Sequence, residues 1–496
     1  MKKLFAGLKP FQAAELIIML VLAFVIPFYW LAAQYGEVAL VTCAVLKVIF
    51  EQKFKFNPSQ MKWKWVYLVF MATWLAYLIG MIHTENAGEG WFEVSKKLGF
   101  LLFPLVFLIS DMSYLTKDRI RAVFYALVAG TLVFFLTNVL WASYDVIVIK
   151  YTTERFFDVG LMKLYYVHHT YASMYALLAF AFCFVEFFRC KKTKVKIINA
   201  SSMLLLMIFV FLLDSRAGIL TMLLEIIMLW LYLTFGLNRR KIGVVSGLAA
   251  VVAIVAVVFV IPGCFSRITE TVKNVTSEKK TDRRLVQYAG CESLLREKWL
   301  FGVGSGDRSE EIKNSYVEYE KELVSSILPI QGIDKEEFAL KRTALLDTIY
   351  QLTSDGGNWN SPRDEAENFI RDNAEKYGCS AESVLDMYVS YIYIRNAIFF
   401  ELNPHNQFID TTISIGIIGL LLLLAYFVIP VVMMIRYKKN DIIYLIFIMI
   451  IAFNALFESV FEGQVGIIFF NFFNMLLFSS LVFDFQSYPK PQKNEK

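Results

Sequence analysis

The sequence predicts an all-α polytopic membrane protein of about twelve transmembrane helices, with a large helical loop between spans nine and ten. Three observations carry this. Of 496 residues, 57% are hydrophobic and only 19% charged, too little polar surface for a water-soluble domain to cover itself. Apolar stretches of bilayer-spanning length recur along the chain. Charge is also segregated: residues 263–404 hold 24 of the 44 acids but only 18 of the 49 Lys and Arg. The rest of the chain is strongly basic. This division fits basic flanks of membrane helices plus one acidic, water-facing domain. It excludes a nucleic-acid partner, which would gather positive charge on a soluble face.

The N-terminal "MKKLFAGLKPFQAAELIIMLVLAFVIPFYWLAA" resembles a signal peptide without a clear cleavage site, and its apolar run is long enough to span a bilayer. It is expected to be a retained first helix, Ala13 to Ala33. Further spans are expected at Val38–Phe50, Trp65–Ile82, Leu98–Ser110, Ile120–Trp141, Tyr166–Phe188, Ile197–Leu213, Ala217–Phe235 and Val244–Ile261. After the large loop come Ile409–Ile435, Ile442–Leu456 and Val465–Phe483. The second and fourth are short.

Alternate connections are basic: "EQKFKFNPSQMKWK", "TKDRIR", "RCKKTKVK", "NRRK", "RYKK" and the tail "KPQKNEK". The positive-inside rule then puts both termini in the cytoplasm and the large loop outside. The organisation expected is residues 1–262 for spans one to nine, 263–407 for the loop, and 408–496 for the last three spans and tail.

The loop is too long to be a mere connector. In "NSPRDEAENFIRDNAEKYG", Ser361 caps a helix, Pro362 takes its first position and Gly378 stops it. A second helix starts at Ser380. Its apolar residues are too dense for a solvated helix, so it is expected on the membrane surface or packed over the spans. Of six Cys, Cys264, Cys291 and Cys379 lie in this loop. Free thiols are the simpler expectation, one disulfide the alternative. No CxxC or other metal-ligand spacing occurs, and no cofactor is expected.

Candidate site residues gather at the outer ends of the spans. "ELNPHNQFIDTTISIGIIGLL" puts His405 at the mouth of the tenth span, with Asn406 beside it and Asp410 one turn further in. An imidazole there suits a general base, or a structural hydrogen bond. "LLDSRAGIL" places Ser215 and Arg216 between two apolar helices with almost no loop. A guanidinium in that position pairs, snorkels or lines a wet cavity, and its planar fork suits phosphate oxygens. "TDRRLVQYAGCESLLREKWLFGVGSGD" supplies Arg283 and Arg284, then Gly304 in a glycine-rich turn whose amides could face an anion. That turn lacks the Lys-Ser/Thr of a nucleotide loop. His168 and His169 open the sixth span. Glu458 and Glu462 lie four apart on an expected helical face, there to pair with a site arginine or to keep a short turn wet.

Four stretches in order, "DSRAGIL", "RRLVQYAGCESLLREKWLFGVGSGD", "NPHNQFIDTTISIGIIGLL" and "ESVFEGQVGIIFFNFFNMLL", resemble the O-antigen ligase superfamily. That superfamily includes O-antigen polymerases and bacterial protein O-oligosaccharyltransferases. The resemblance implies a metal- and nucleotide-independent glycosyltransferase of the bacterial inner membrane with its site facing the periplasm. The implied donor is an undecaprenyl-diphosphate-linked glycan and the implied acceptor a lipid A-core sugar hydroxyl. By likeness, His405, Arg216 and Arg284 are catalytic. Arg283, Asn406, Asp410, Ser215, Gly304, His169 and Glu458 are candidates for substrate binding. The family more often carries Glu or Gln where Asp410 stands. Polymerase, protein glycosyltransferase and lipid-oligosaccharide transporter are the alternatives, in that order. Against a transporter, the charges gather on one face and no repeat of paired halves is present.

Overall fold

The computed structural model describes residues 2–52, 61–237, 282–354, 363–439 and 441–484. Among the described residues, the first nine α-helices longer than four residues are, in chain order, α1 (Pro10–Val25), α2 (Trp30–Lys47), α3 (Lys64–Gly80), α4 (Ala87–Lys96), α5 (Gly99–Ile109), α6 (Lys117–Ile147), α7 (His169–Arg189), α8 (Thr193–Leu212) and α9 (Arg216–Leu231). The large loop contributes α10 (Arg283–Gly290), α11 (Glu292–Lys298), α12 (Arg308–Ser325), α13 (Lys335–Ser354), α14 (Arg363–Asn373) and α15 (Ala381–Phe399). Three apolar helices follow: α16 (Gln407–Arg436), α17 (Ile442–Ala455) and α18 (Gln464–Asp484).

Eight helices among the described residues are long and apolar enough to cross a membrane, and α1 and α17 are shorter apolar helices. The expected first span is corrected. Pro27 cannot continue a helix, so the chain breaks between α1 and α2 rather than running on to Ala33. The fourth segment forms α5, an 11-residue helix measuring about 16 Å. The expected ninth span and the Ser361–Pro362 cap lie outside the described residues.

The bundle is built around α18, which is 94% buried over its spanning stretch. Phe469, Phe470, Phe472, Phe473 and Phe478 point from it in all directions and are fully covered, as a helix apolar on every face requires. In lipid such packing rests on close dispersion contact rather than on expelling water. At the end of the bundle far from His405 a buried ion pair ties three elements together. Lys47 Nζ donates to Glu15 (2.7 Å), to Ser110 Oγ (2.8 Å) and to the Asp111 carbonyl (2.9 Å).

The loop helices have apolar cores of their own. The helix after Ser380, expected on the membrane surface or packed over the spans, is α15. It packs against α10, α12 and α14 and buries Val384, Met387, Tyr388, Tyr391 and Ile394. Its dense apolar residues face neighbouring helices on several sides. Gly378, at φ +72°, ends the preceding turn as expected. Cys291 and Cys379 are buried free thiols.

The 30-residue α16 breaks at Ile415 (φ −135°, ψ 21°) and Gly416 (φ +67°, ψ −165°). A side chain at Gly416 would lie 2.2 Å from the Leu300 carbonyl oxygen, and its backbone conformation is open essentially to glycine alone. The break leaves backbone groups of α16 without helical partners, and the glycine-rich turn takes them. Val303 N–H donates to the Ile413 carbonyl (2.8 Å), Gly304 N–H to that of Ser414 (3.1 Å), and Ile417 N–H to that of Leu300 (3.3 Å).

Candidate functional site at the converging helix ends

The start of α16 sets the geometry. Asn406 caps it, accepting from the Phe408 and Ile409 amides (3.0 and 3.1 Å), while its own amide donates to the Leu456 carbonyl (3.2 Å). One residue earlier His405 has φ +47°, a left-handed conformation rare for a residue with a side chain. Its amide N–H is held by Asn403 Oδ1 at 2.8 Å. Cap and strained residue together aim the imidazole at the link between α17 and α18.

That link supplies Glu458, whose Oε1 lies 3.0 Å from His405 Nδ1. Burial alone would raise the pKa of this carboxyl. The hydrogen bond and charge of His405, then the charges of His168 and Arg284, outweigh burial and hold it at about 2. Glu458 is thus the ionised centre of a group drawn from four parts of the chain. Arg284 lies with its guanidinium 5.8 Å from the Phe457 ring centre, an attraction between cation and ring face. Tyr288, one turn on, donates to the Leu456 carbonyl (3.0 Å). Arg283 is exposed while Arg284 is half-buried.

His168 caps α7, accepting from the Thr170 amide at 3.4 Å, and its ring lies 4.2 Å from that of His169. His169 Nδ1 is 3.0 Å from Asp158. Ser215 caps α9, accepting from the Gly218 amide (3.2 Å), and the half-buried Arg216 takes the first helical position. The starts of α7 and α9 pack together, Gly218 against Ser173. Thr221 of α9 takes a hydrogen bond from Asn454 near the end of α17 (3.1 Å). Arg216 therefore opens a helix whose start stands among the same helix ends as His405.

Two candidate ligand residues are engaged elsewhere. The Gly304 amide is occupied by Ser414, so the glycine-rich turn docks a helix break instead of opening toward an anion. Asp410 is buried and paired with Arg308, which also binds Glu462 at 3.0 Å. Glu458 and Glu462 lie in a turn and not on a helix. Glu462 does pair with an arginine, but with Arg308.

Arg308 is the residue sequence reasoning missed. Burial alone would lower its pKa, but Asp410, Glu462 and Glu93 together push it well above the ordinary arginine value. Beside it Lys97, also buried, donates to the Phe461 carbonyl at 2.5 Å and lies 3.5 Å from Glu93. The second oxygen of Glu462 takes the Asn403 amide. A chain of contacts thus runs from Arg308 through Glu462 and Asn403 to the backbone of His405. The local signal was an arginine directly after a glycine-rich turn. Its acids come from distant parts of the chain.

Fold and site define an all-helical, multi-pass membrane protein whose charged residues converge where helices end. The family model described as O-Antigen ligase matches residues 201–329, and this bears out the superfamily that the sequence motifs resemble. The matched stretch contains Arg216, Arg284, Gly304 and Arg308; His405 and Glu458 lie beyond it. No curated protein matches the chain.

Proposed function

We propose that this membrane glycosyltransferase-like protein is an O-antigen ligase, moving a glycan from undecaprenyl diphosphate to a lipid A-core sugar hydroxyl. On this reading the site faces the periplasm and both termini the cytoplasm. The observation that carries it is the His405–Glu458 pair beside Arg284. An ionised Glu458 orders the imidazole so that Nδ1 donates and Nε2 keeps its lone pair for an incoming proton. The acceptor oxygen attacks the anomeric carbon and its proton passes to His405 Nε2. The bond from that carbon to the diphosphate breaks, and the diphosphate leaves with the electron pair. Arg284 and Arg216 bind the diphosphate and stabilise the charge it gains, the role such cations fill most effectively. Arg283 is the second candidate for that anion.

Asn406 and Asn403 hold His405, and Ser215 holds the start of α9 that carries Arg216. His169 lines the mouth. Asp410 and Gly304 serve the frame. The test is transfer by purified protein supplied with lipid-linked glycan and core acceptor. His405→Ala should abolish it; transfer near the wild-type rate would remove His405 from catalysis. In cells, deletion should remove every long lipopolysaccharide chain while lipid-linked polymer accumulates. Capping by single repeats would instead identify a polymerase.

A further inference from the structure

We infer that the turn Trp299–Phe301 is an interfacial anchor that seats the large loop directly in the bilayer on the His405 side. Two helices act as rulers. At full length α16 would measure about 45 Å, well beyond a hydrocarbon core of about 30 Å. From Ile417, just past the break, to Arg436 it measures about 30 Å, one full crossing. The break at Ile415–Gly416 therefore marks the bilayer edge. The second ruler is α3 with its continuation, Lys64–His83, a spanning stretch of 20 residues. The same glycine-rich turn sits at its end: Ser305 Oγ donates to the Tyr77 carbonyl (2.5 Å) and Gly306 N–H to Thr84 Oγ1 (3.4 Å). Both rulers place residues 299–306 at one level.

At that level Trp299, Leu300 and Phe301 are exposed, Phe301 at 68%. Three large apolar side chains in a row at a water-facing surface would be costly. They continue the exposed flank of α16, where Ile418 and Leu421 lie just past the Leu300–Ile417 hydrogen bond. Lipid already has to cover that flank. The occupant is the outer edge of the hydrocarbon, the depth at which Trp and other aromatic side chains are most stable in membranes. Docking the turn into the α16 break thus couples the loop to the membrane surface. It leaves Gln407–Ser414, about 12 Å of helix, to lift His405 above the hydrocarbon, within reach of headgroup-level chemistry.

This assignment goes beyond the transfer reaction and stands or falls without it. Full-length protein and Trp299→Phe are reconstituted in nanodiscs, and the emission of Trp299 is taken as their difference. Lipids brominated near the headgroup end of the acyl chain should quench most of that difference, which should be blue-shifted and insensitive to aqueous iodide. A difference emission at the wavelength of water-exposed indole, quenched by iodide and untouched by brominated lipid, overturns the anchor. Neither result depends on glycan transfer, so an inactive preparation is still informative.

Discussion

His405 Nδ1 and Glu458 Oε1 are 3.0 Å apart although 53 residues separate them, and neither lies within a regular helix. His405 precedes the first turn of α16, and Glu458 occupies the link between α17 and α18. A pair held this way depends on the frame around it.

Glu458→Gln keeps the shape and removes the charge. The imidazole loses the partner that sets its tautomer, so the proposed transfer should fall on the order of a hundredfold, the lower range for removing acid–base assistance. Turnover by the purified variant, with donor binding unchanged, checks this. Stability gives an independent readout. The pKa of Glu458 is depressed from 4.5 to about 2 in the folded protein. Its contribution is therefore fully present above about pH 4.5 and is lost as pH falls toward 2. The scale is on the order of 3 kcal/mol. Melting temperature followed from pH 5 down to the acid limit (roughly the window this linkage sets) should fall less steeply in Glu458→Gln than in the wild type.

Arg284→Ala should lower transfer by a factor of about 10² to 10³, typical for removing a group that stabilises developing charge. Arg283→Ala should cost less, because Arg283 is exposed, whereas the half-buried Arg284 lies with its guanidinium over the Phe457 ring, next to Glu458. Parallel kinetics of the two single variants decide it. Equal losses would show that the neighbours share the anion.

The parts of the fold visible in the sequence were those written in local pattern. Long apolar runs marked α6, α7 and α16, and Gly378 and Ser380 marked a stop and a cap. Pro27 was present in the first apolar run, yet hydropathy counts it as tolerated and the break was missed. Gly416 likewise sits unremarkably in "SIGIIG", because the demand for a left-handed turn comes from Leu300 across the contact. Arg308 shows the same limit at the site. Within "GDRSE" it looks solvated, while its acids stand 102 and 154 positions away. Only tertiary structure brings such partners together.

Arg308→Met should therefore be among the most damaging changes. It leaves Asp410 buried without its cation and frees Glu462, and breaking one side of a buried pair costs about 3–5 kcal/mol. Arg308→Lys keeps the charge but has no fork to reach both acids, so its loss should be intermediate. Thermal unfolding in detergent ranks the two. If folded Arg308→Lys protein also turns over slowly with donor affinity intact, the contacts through Glu462 and Asn403 are confirmed as positioning His405.

Gly416→Ala tests the helix break. The new methyl would collide with the Leu300 carbonyl in a conformation reserved for glycine, so a loss of about 1–3 kcal/mol is expected from backbone strain alone. Proteolysis should show the glycine-rich turn released from α16 before the bundle melts. An unchanged melting temperature would mean that the break relaxes at no cost.

The Lys47–Glu15 pair calls for a cycle and not a single variant. Lys47→Met alone strands the Glu15 carboxylate among Ser110 and buried apolar groups, and should cost about 3–5 kcal/mol. Glu15→Gln alone leaves the ammonium without a counter-charge, held by neutral acceptors such as Ser110 Oγ and the Asp111 carbonyl. Replacing both together removes the two charges at once, and a neutral pair of similar volume is often as stable as the ions it replaces. The double variant should therefore melt closer to the wild type than either single one. That coupling, read from the four melting temperatures, separates a pair retained for the specificity of helix placement from one that contributes net stability.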